Sequence, residues 1–387
     1  MEHTPYVFLS PMDAVPPELA HIICEWTDAL TLPVVRCTSA RWCAIVDGFY
    51  VRVRATPEIE RKRSYRHRDF PRYRLQAACV SYAGIMIGAR RWPLFELVMA
   101  CTGALDGYAI LGERACNAVA ADGDLDRLMG FIDKGFTHDR EQMAMESIKG
   151  AHLHVLRWLE ERGYRPRDTY LCALAASRGT ICVLEWLTRR GCPWDSCTSS
   201  FAAEYGHLAT LKWARRRGCP WDKGTCTRAA RNGHLDIVKW ARKHGCPWDA
   251  RTCSHAAAGG HMDVLQWARK EECLWDADTC TFAARGGHLG VLRWAHAQGC
   301  PLTYQAYVGA VECGHLHVME WLESVGHVWS SNLTMAAVLH GHLCILEWAF
   351  DRKHPLDEKA FAYAAKCGRL DILGWARINN LLRLKGH

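Results

Sequence analysis

Two columns of chemically competent side chains run down this chain. A Gly-His pair recurs with its histidine at His207, His234, His261, His288, His315 and His342, and a cysteine recurs at Cys192, Cys219, Cys246, Cys273 and Cys300. Imidazoles can act as general bases or metal ligands, and thiols as nucleophiles, ligands or disulfide partners. The spacing argues against each use. A base needs one partner and one pocket rather than a column. The chain has no CxxC pair and no paired Cys/His spacing of the zinc kind. The HxH pairs His152/His154 and His315/His317 are two residues apart, which on a helix is the wrong separation for shared ligation. Equivalent residues of stacked helices lie about 8–10 Å apart, and a disulfide needs Cα atoms within about 7 Å. The columns therefore read as structure, with histidines bonding backbone near a turn and cysteines acting as small, buried, reduced side chains. No metal, cofactor or catalytic residue is expected, because no phosphate loop, nucleophile elbow or zinc motif is present.

The elements that carry these columns repeat. Glycines fall at 179, 206, 233, 260, 287, 314, 341 and 368, each 27 after the last, and the phase continues upstream through Ala151 and Gly123. A tryptophan follows seven residues after most of them, from Trp158 and Trp186 to Trp348 and Trp375. About ten units result, over residues 112–387. In "RTCSHAAAGGHMDVLQWARKEECLWDA" the Ala-rich stretch around Ala256 and Ala257 predicts a first helix. Thr252, or the Asp before it, is placed to cap that helix, and Gly259 and Gly260 end it. A second helix starts at His261 with Met262, Val264, Leu265 and Ala268 on its apolar side. Pro220 and Pro247 forbid continuation in earlier units. A helix pair this short cannot bury its own apolar face, so neighbouring units must stack into one linear core. The alanines let the two helices approach closely, and the tryptophans read as packing between units.

The residues that carry this pattern resemble the ankyrin repeat. "TCSHAAAGGHMDVLQWAR" and "TCTRAARNGHLDIVKWARKHGC" hold its Thr, its Ala pair, its Gly-His and its apolar spacing. The units are shorter than the usual 33 residues, and a "CPWD" turn stands where ankyrins project a β-hairpin finger. The resemblance implies an all-α, ankyrin-like solenoid of helix-turn-helix repeats, with first helices on the concave side. Residues flanking the Ala pair differ between units while the scaffold positions agree. A target protein is therefore expected to touch Phe201, Tyr205, Arg228, Arg231, His255, Phe282 and Arg285, since exposed aromatic and Arg side chains are frequent anchors.

Residues 9–49 contain "PPELAHIICEW", a Pro-started amphipathic helix, followed by "LTLPVVRCTSARWCAIV". The stretch resembles an F-box, through Val15, Pro17, Glu18, Leu19, Ile22, Ile23, Val35, Cys37, Arg41, Trp42, Ile45 and Val46. That resemblance implies docking on a Skp1-type adaptor of a cullin ubiquitin ligase through Val15, Pro17, Leu19, Ile22 and Ile23. An ordinary helical cap is the other reading. An F-box joined to short Trp-rich ankyrin units also looks like proteins of large DNA viruses of amoebae, which implies host cytoplasm. Residues 50–75 read as a basic linker, and 76–111 as a helical cap on the array.

The 387 residues are 49% hydrophobic and 23% charged with a net charge of +7, the balance of a folded chain. Residues 51–76 hold nine Lys/Arg against three Asp/Glu, and 61–74 could serve nuclear import. The array carries only +5, too little for the basic stripe that nucleic-acid recognition requires. No secretory leader is legible in "MEHTPYVFLSPMDAVPPEL", and no apolar run approaches the ~18 residues of a membrane helix. A cytoplasmic adaptor, gripping a target with its repeats and recruiting a ligase with residues 9–49, is the leading expectation. A plain scaffold or sequestering protein with no ligase contact is the other.

Overall fold

The computed structural model describes residues 87–90, 92, 95–96 and 108–381. The F-box-like stretch 9–49 and the basic linker 50–75 lie outside the described residues, as does most of 76–111. The chain divides into two units, Met1–Tyr164 and Arg165–His387. All twenty elements among the described residues are helices, in ten consecutive pairs.

The first unit contains α1 (Tyr108–Asp122), α2 (Leu125–Asp133), α3 (Arg140–Lys149) and α4 (Leu153–Glu161). Trp92 and Phe95 are buried there against Phe131, with Phe136 stacked on Phe131. The second unit contains eight pairs. They are α5 (Thr169–Ser177) with α6 (Ile181–Arg189), α7 (Ser196–Glu204) with α8 (Leu208–Arg216), α9 (Lys223–Arg231) with α10 (Leu235–Lys243), and α11 (Ala250–Ala258) with α12 (Met262–Lys270). Then come α13 (Ala277–Arg285) with α14 (Leu289–Ala297), α15 (Tyr304–Glu312) with α16 (Leu316–Ser324), α17 (Ser331–His340) with α18 (Leu343–Asp351), and α19 (Glu358–Lys366) with α20 (Leu370–Ile378).

Most first helices start where an aspartate caps them, whereas α15 and α17 start after Thr303 and Ser330. Asp195, Asp222, Asp249 and Asp276 accept from the backbone N–H two residues on, at 2.9, 2.9, 3.1 and 3.1 Å. The cap is thus the Asp of "CPWD" and not the threonine. Thr198 and Thr252 stand one turn inside the helix, fully buried, with no side-chain hydrogen-bond partner. The buried position selects a small β-branched residue there, and in the equivalent place Thr225 finds Ser200 Oγ at 3.4 Å.

The alanines do something different from the sequence expectation. Ala229, Ala230, Ala256, Ala257, Ala283 and Ala284 are fully buried, and the most closely packed neighbours are first helices of consecutive pairs: α5 on α7, α7 on α9, and so on to α15. Small side chains let one repeat approach the next. Each second helix packs on its own first helix through residues such as Ile237, Val238 and Ala241. Consecutive second helices stand further apart. The unit is an all-α, ankyrin-like solenoid with a tight row of first helices and a looser row of second helices.

The tryptophans occupy that looser row, and most are not deep core. Trp158, Trp186 and Trp348 are buried, but Trp213, Trp240, Trp267, Trp294, Trp321 and Trp375 are half-buried. Each turn tryptophan meets a helix tryptophan of its own repeat: Trp194–Trp213, Trp221–Trp240, Trp248–Trp267 and Trp275–Trp294, at 5.8–6.1 Å between centroids. The large indole spans from core to rim because the second helices leave room for it.

Candidate functional site

The histidine column stitches repeats together. Six histidines place Nε2 against a carbonyl at the end of a preceding first helix, that of its last residue in five cases and of the residue before it for His152. These are His152 on Ala121 (2.9 Å), His207 on Ser177 (3.0 Å), His234 on Glu204 (3.0 Å), His288 on Ala258 (3.1 Å), His315 on Arg285 (2.9 Å) and His342 on Glu312 (2.8 Å). That carbonyl is one of the orphan acceptors of a helix C-terminus, so the Nε2–H donates to it. In the last repeat Arg369 takes over, donating from Nη2 to the Leu339 carbonyl at 3.0 Å. The second histidines of the HxH pairs reach a different carbonyl, His154 that of Gly123 (2.7 Å) and His317 that of Gly287 (2.9 Å). Thr210 makes the same bond to Gly179 at 3.1 Å. The pairs therefore do not converge on one point.

The cysteine column is equally structural. Cys192, Cys219, Cys246, Cys273 and Cys300 are buried free thiols, each 3.3–3.5 Å from the carbonyl of a capping aspartate 24 residues earlier. A second row, legible in the sequence only once the helix pair is built, faces it: Cys172, Ser199, Cys226, Cys253 and Cys280. Ser199 donates to the Pro220 carbonyl at 2.8 Å and lies 3.5 Å from Cys219 Sγ. Burial pushes the thiols of Cys116, to about 11, and Cys219 up, while in the facing pairs the hydrogen bond between the two thiols raises Cys172, Cys226, Cys253 and Cys280 and lowers Cys192, Cys246, Cys273 and Cys300. Among the described residues no group of three or more His, Cys, Asp or Glu is placed to hold a metal ion.

The seven residues expected to meet a target all stand on the row of first helices. Phe201 of α7 and Tyr205, the residue that ends it, stack one turn apart at 6.5 Å. Arg228 of α9 lies over the Phe201 ring at 5.1 Å and forms an ion pair with Glu204. His255 of α11 meets Phe282 of α13 edge to face at 5.7 Å, and its Nδ1 is 2.9 Å from the Arg251 carbonyl. Burial lowers the His255 pKa, and the charges of Arg231 and Arg251 lower it further. Arg285 pairs with Glu312 at 3.1 Å, and it reaches across through space left by Gly309, where a Cβ would collide with it. Tyr205 is 56% exposed, Arg228, Arg231 and Arg285 are exposed, and Phe201, His255 and Phe282 are half-buried. The row thus forms two clusters, Phe201–Tyr205–Arg228 and His255–Phe282, with Arg231 on the helix between them. The carboxylates of Glu204 and Glu312 belong to the same surface; what picks them out is an opposite charge about one repeat away.

No family profile and no curated protein matches the chain. Among solved structures, the human ASB11 ankyrin repeat domain is similar, at 16% identity and a TM-score of 0.34, over 41% of this chain and 84% of that one.

Proposed function

We propose that the chain is a protein-interaction scaffold whose first-helix row holds a target protein. One observation carries this reading. Positions that build the solenoid repeat with period 27, while the first-helix row between them displays a non-repeating set of aromatic and charged side chains. Tyr205 and Arg231 are the exposed members with the least internal packing to explain them. The test is affinity capture by the full chain beside a variant carrying Tyr205→Ala, Arg228→Ala and Arg231→Glu. Captured proteins that the folded variant loses support the reading. An identical set on both chains removes the row as the binding surface.

The finer proposal is an adaptor. The F-box resemblance of residues 9–49 supports recruitment of a Skp1/cullin ubiquitin ligase through Val15, Pro17, Leu19, Ile22 and Ile23. A pull-down with a Skp1-type adaptor, beside a Leu19→Asp/Ile22→Asp variant, tests it. Binding lost by the variant makes the chain a ligase substrate receptor. No binding by the folded wild type leaves a scaffold or sequestering protein.

A further inference from the structure

Charge is unevenly spread along the second unit. Residues 165–253 hold sixteen Lys/Arg against seven Asp/Glu, a net of +9, whereas 254–381 hold ten against thirteen, a net of −3. The array average hides this. On the first helices the excess is compensated: four of the five cations on α9, α11 and α13 pair with a carboxylate, Arg228 with Glu204, Lys223 and Arg251 with Asp249, and Arg285 with Glu312. On the second helices α8 and α10 it is not. No carboxylate among the described residues pairs with Lys212, Arg215, Arg216, Lys239, Arg242 or Lys243. The acid of α10, Asp236, lies in the first turn, at the opposite end from Arg242 and Lys243.

These cations sit on an ordered platform. Lys212 lies 5.9 Å from the Trp240 ring and Arg215 4.1 Å from Trp221, and those two indoles touch each other at 5.8 Å. One repeat on, Lys239 lies 6.0 Å from Trp267 and Arg242 4.5 Å from Trp248, again with the indoles at 5.8 Å. Arg215 and Arg242 are pinned further, donating to the carbonyls of Cys219 and Cys246. Arg216 and Lys243 are exposed beside them. The result is two copies of one module, a Lys and an Arg on a Trp pair with one more cation alongside. Cations in a last turn also favour the helix dipole, but that does not account for these. The second helices α16 and α18 have the same length and place with no basic residue in the last turn.

We propose that the second-helix face of α8 and α10 docks an acidic, Asp/Glu-rich segment of a protein partner, separately from the first-helix row. Uncompensated, preorganised cations attract an anionic partner and fix its register. The modules stand at or somewhat beyond the about 8–10 Å of closely packed helices, because the second helices form the looser row, and an extended chain rising about 3.3 Å per residue sets carboxylates at every third position about 10 Å apart. The basic face is short. On α12 Arg269 still lies 4.2 Å from the Trp275 ring with Lys270 exposed beside it, but Gln266 stands where the module has its Lys, and Glu271, Glu272, Asp276 and Asp278 follow; on the other side Glu185 already holds Arg189 and Arg217. A single-stranded nucleic acid wants a longer basic groove and open rings on which bases stack. Here cations already lie over the rings.

The test measures binding of the full chain to a fluorescent ten-residue peptide with Glu at every third position and Gly/Ser between. The same peptide with Gln, and a ten-residue oligothymidylate, run beside it. The Glu peptide should bind, the Gln peptide should bind at least about tenfold more weakly, and added salt should weaken the Glu complex. An Arg216→Glu/Lys243→Glu chain should lose at least about tenfold in affinity for the Glu peptide with its helical circular dichroism unchanged. Arg216→Gln/Lys243→Gln replaces it if the reversal does not fold. No binding of the Glu peptide at low salt, equal binding of the Gln peptide, tighter binding of the oligonucleotide, or undiminished binding by the folded variant each overturns the proposal.

Discussion

Glycine and histidine are selected as a pair, one from each of two repeats. Gly260 has φ +76°, and a Cβ there would lie 2.6 Å from Nδ1 of His288, the ring that reaches back to the Ala258 carbonyl. Gly260→Ala thus meets both the left-handed backbone cost of about 1–2 kcal/mol and a clash. Gly245 also has a positive φ, +82°, but a Cβ there meets nothing within 4 Å, so Gly245→Ala meets only the first. Denaturant unfolding should show Gly260→Ala as the costlier change by about 1–3 kcal/mol, and adding His288→Ala should relieve its steric part. Equal costs for the two single variants would remove the ring from the account. The fold also imposes this conformation where no glycine is available. Glu272, at the turn that Gly218, Gly245 and Gly299 make in other repeats, has φ +62°. Glu272→Gly should therefore stabilise the chain by about 0.5–1 kcal/mol, the reverse of glycine's ordinary effect in a chain. A lowered midpoint for this variant would contradict the strain.

At the scale of the helix pair, burial sets the chemistry of the histidines. His255, His288 and His327 all have pKa values lowered from 6.5, burial first, with neighbouring cations or histidines adding to it. A lowered folded pKa means the unfolded chain binds protons more readily, so stability rises with pH in the window below 6.5. It is fully present above 6.5 and is lost as pH falls through the folded values. Thermal melts should show Tm falling from about pH 7.5 to about pH 5.5, and His255→Gln should shrink the fall. A flat profile in wild type would mean the rings gain as much from their carbonyls as they lose to burial. Helix pairs were legible in the sequence because glycine, proline and apolar period are local signals. What lies across an interface was not. The period marks Ala256 and Ala257 as buried but cannot say that the neighbour is α9 and α13 as well as α12. The Trp column looked like core because apolar partners flank it, whereas the open side of each indole is fixed by how far apart the second helices stand. Thr252 and Asp249 are both cap-competent by type, and only the turn geometry selects the aspartate. The first-helix row was found by comparing repeats with one another, a comparison that picks out variation. It passes over the cations of α8 and α10, which are nearly alike in "LKWARRRGC" and "VKWARKHGC" and so look like scaffold.

The second unit is built in one dimension, since its close helix contacts run within a pair and between neighbouring pairs. Deleting residues 250–276 removes one whole period. Asp249 then precedes Ala277 and inherits the capping role of Asp276, His288 meets Gly233 in place of His261, and Cys300 meets the carbonyl of Asp249. Every inter-repeat bond finds an equivalent partner, and the buried alanines of α13 replace those of α11 against α9. The shortened chain should fold and unfold cooperatively, with helical circular dichroism per residue unchanged and a Tm lowered only by the loss of one interface. Deleting residues 250–261 instead removes α11 and the turn after it, and leaves α12 without the helix it packs on. It breaks the phase of every stitch across that point, so the same melt should become broad and begin at a lower temperature. If the whole-period deletion unfolds as badly as the half-period one, stability depends on contacts other than those between neighbours. If both melt like the intact chain, the histidine and cysteine stitches contribute little, and the alanine contacts of the first helices hold the solenoid without them.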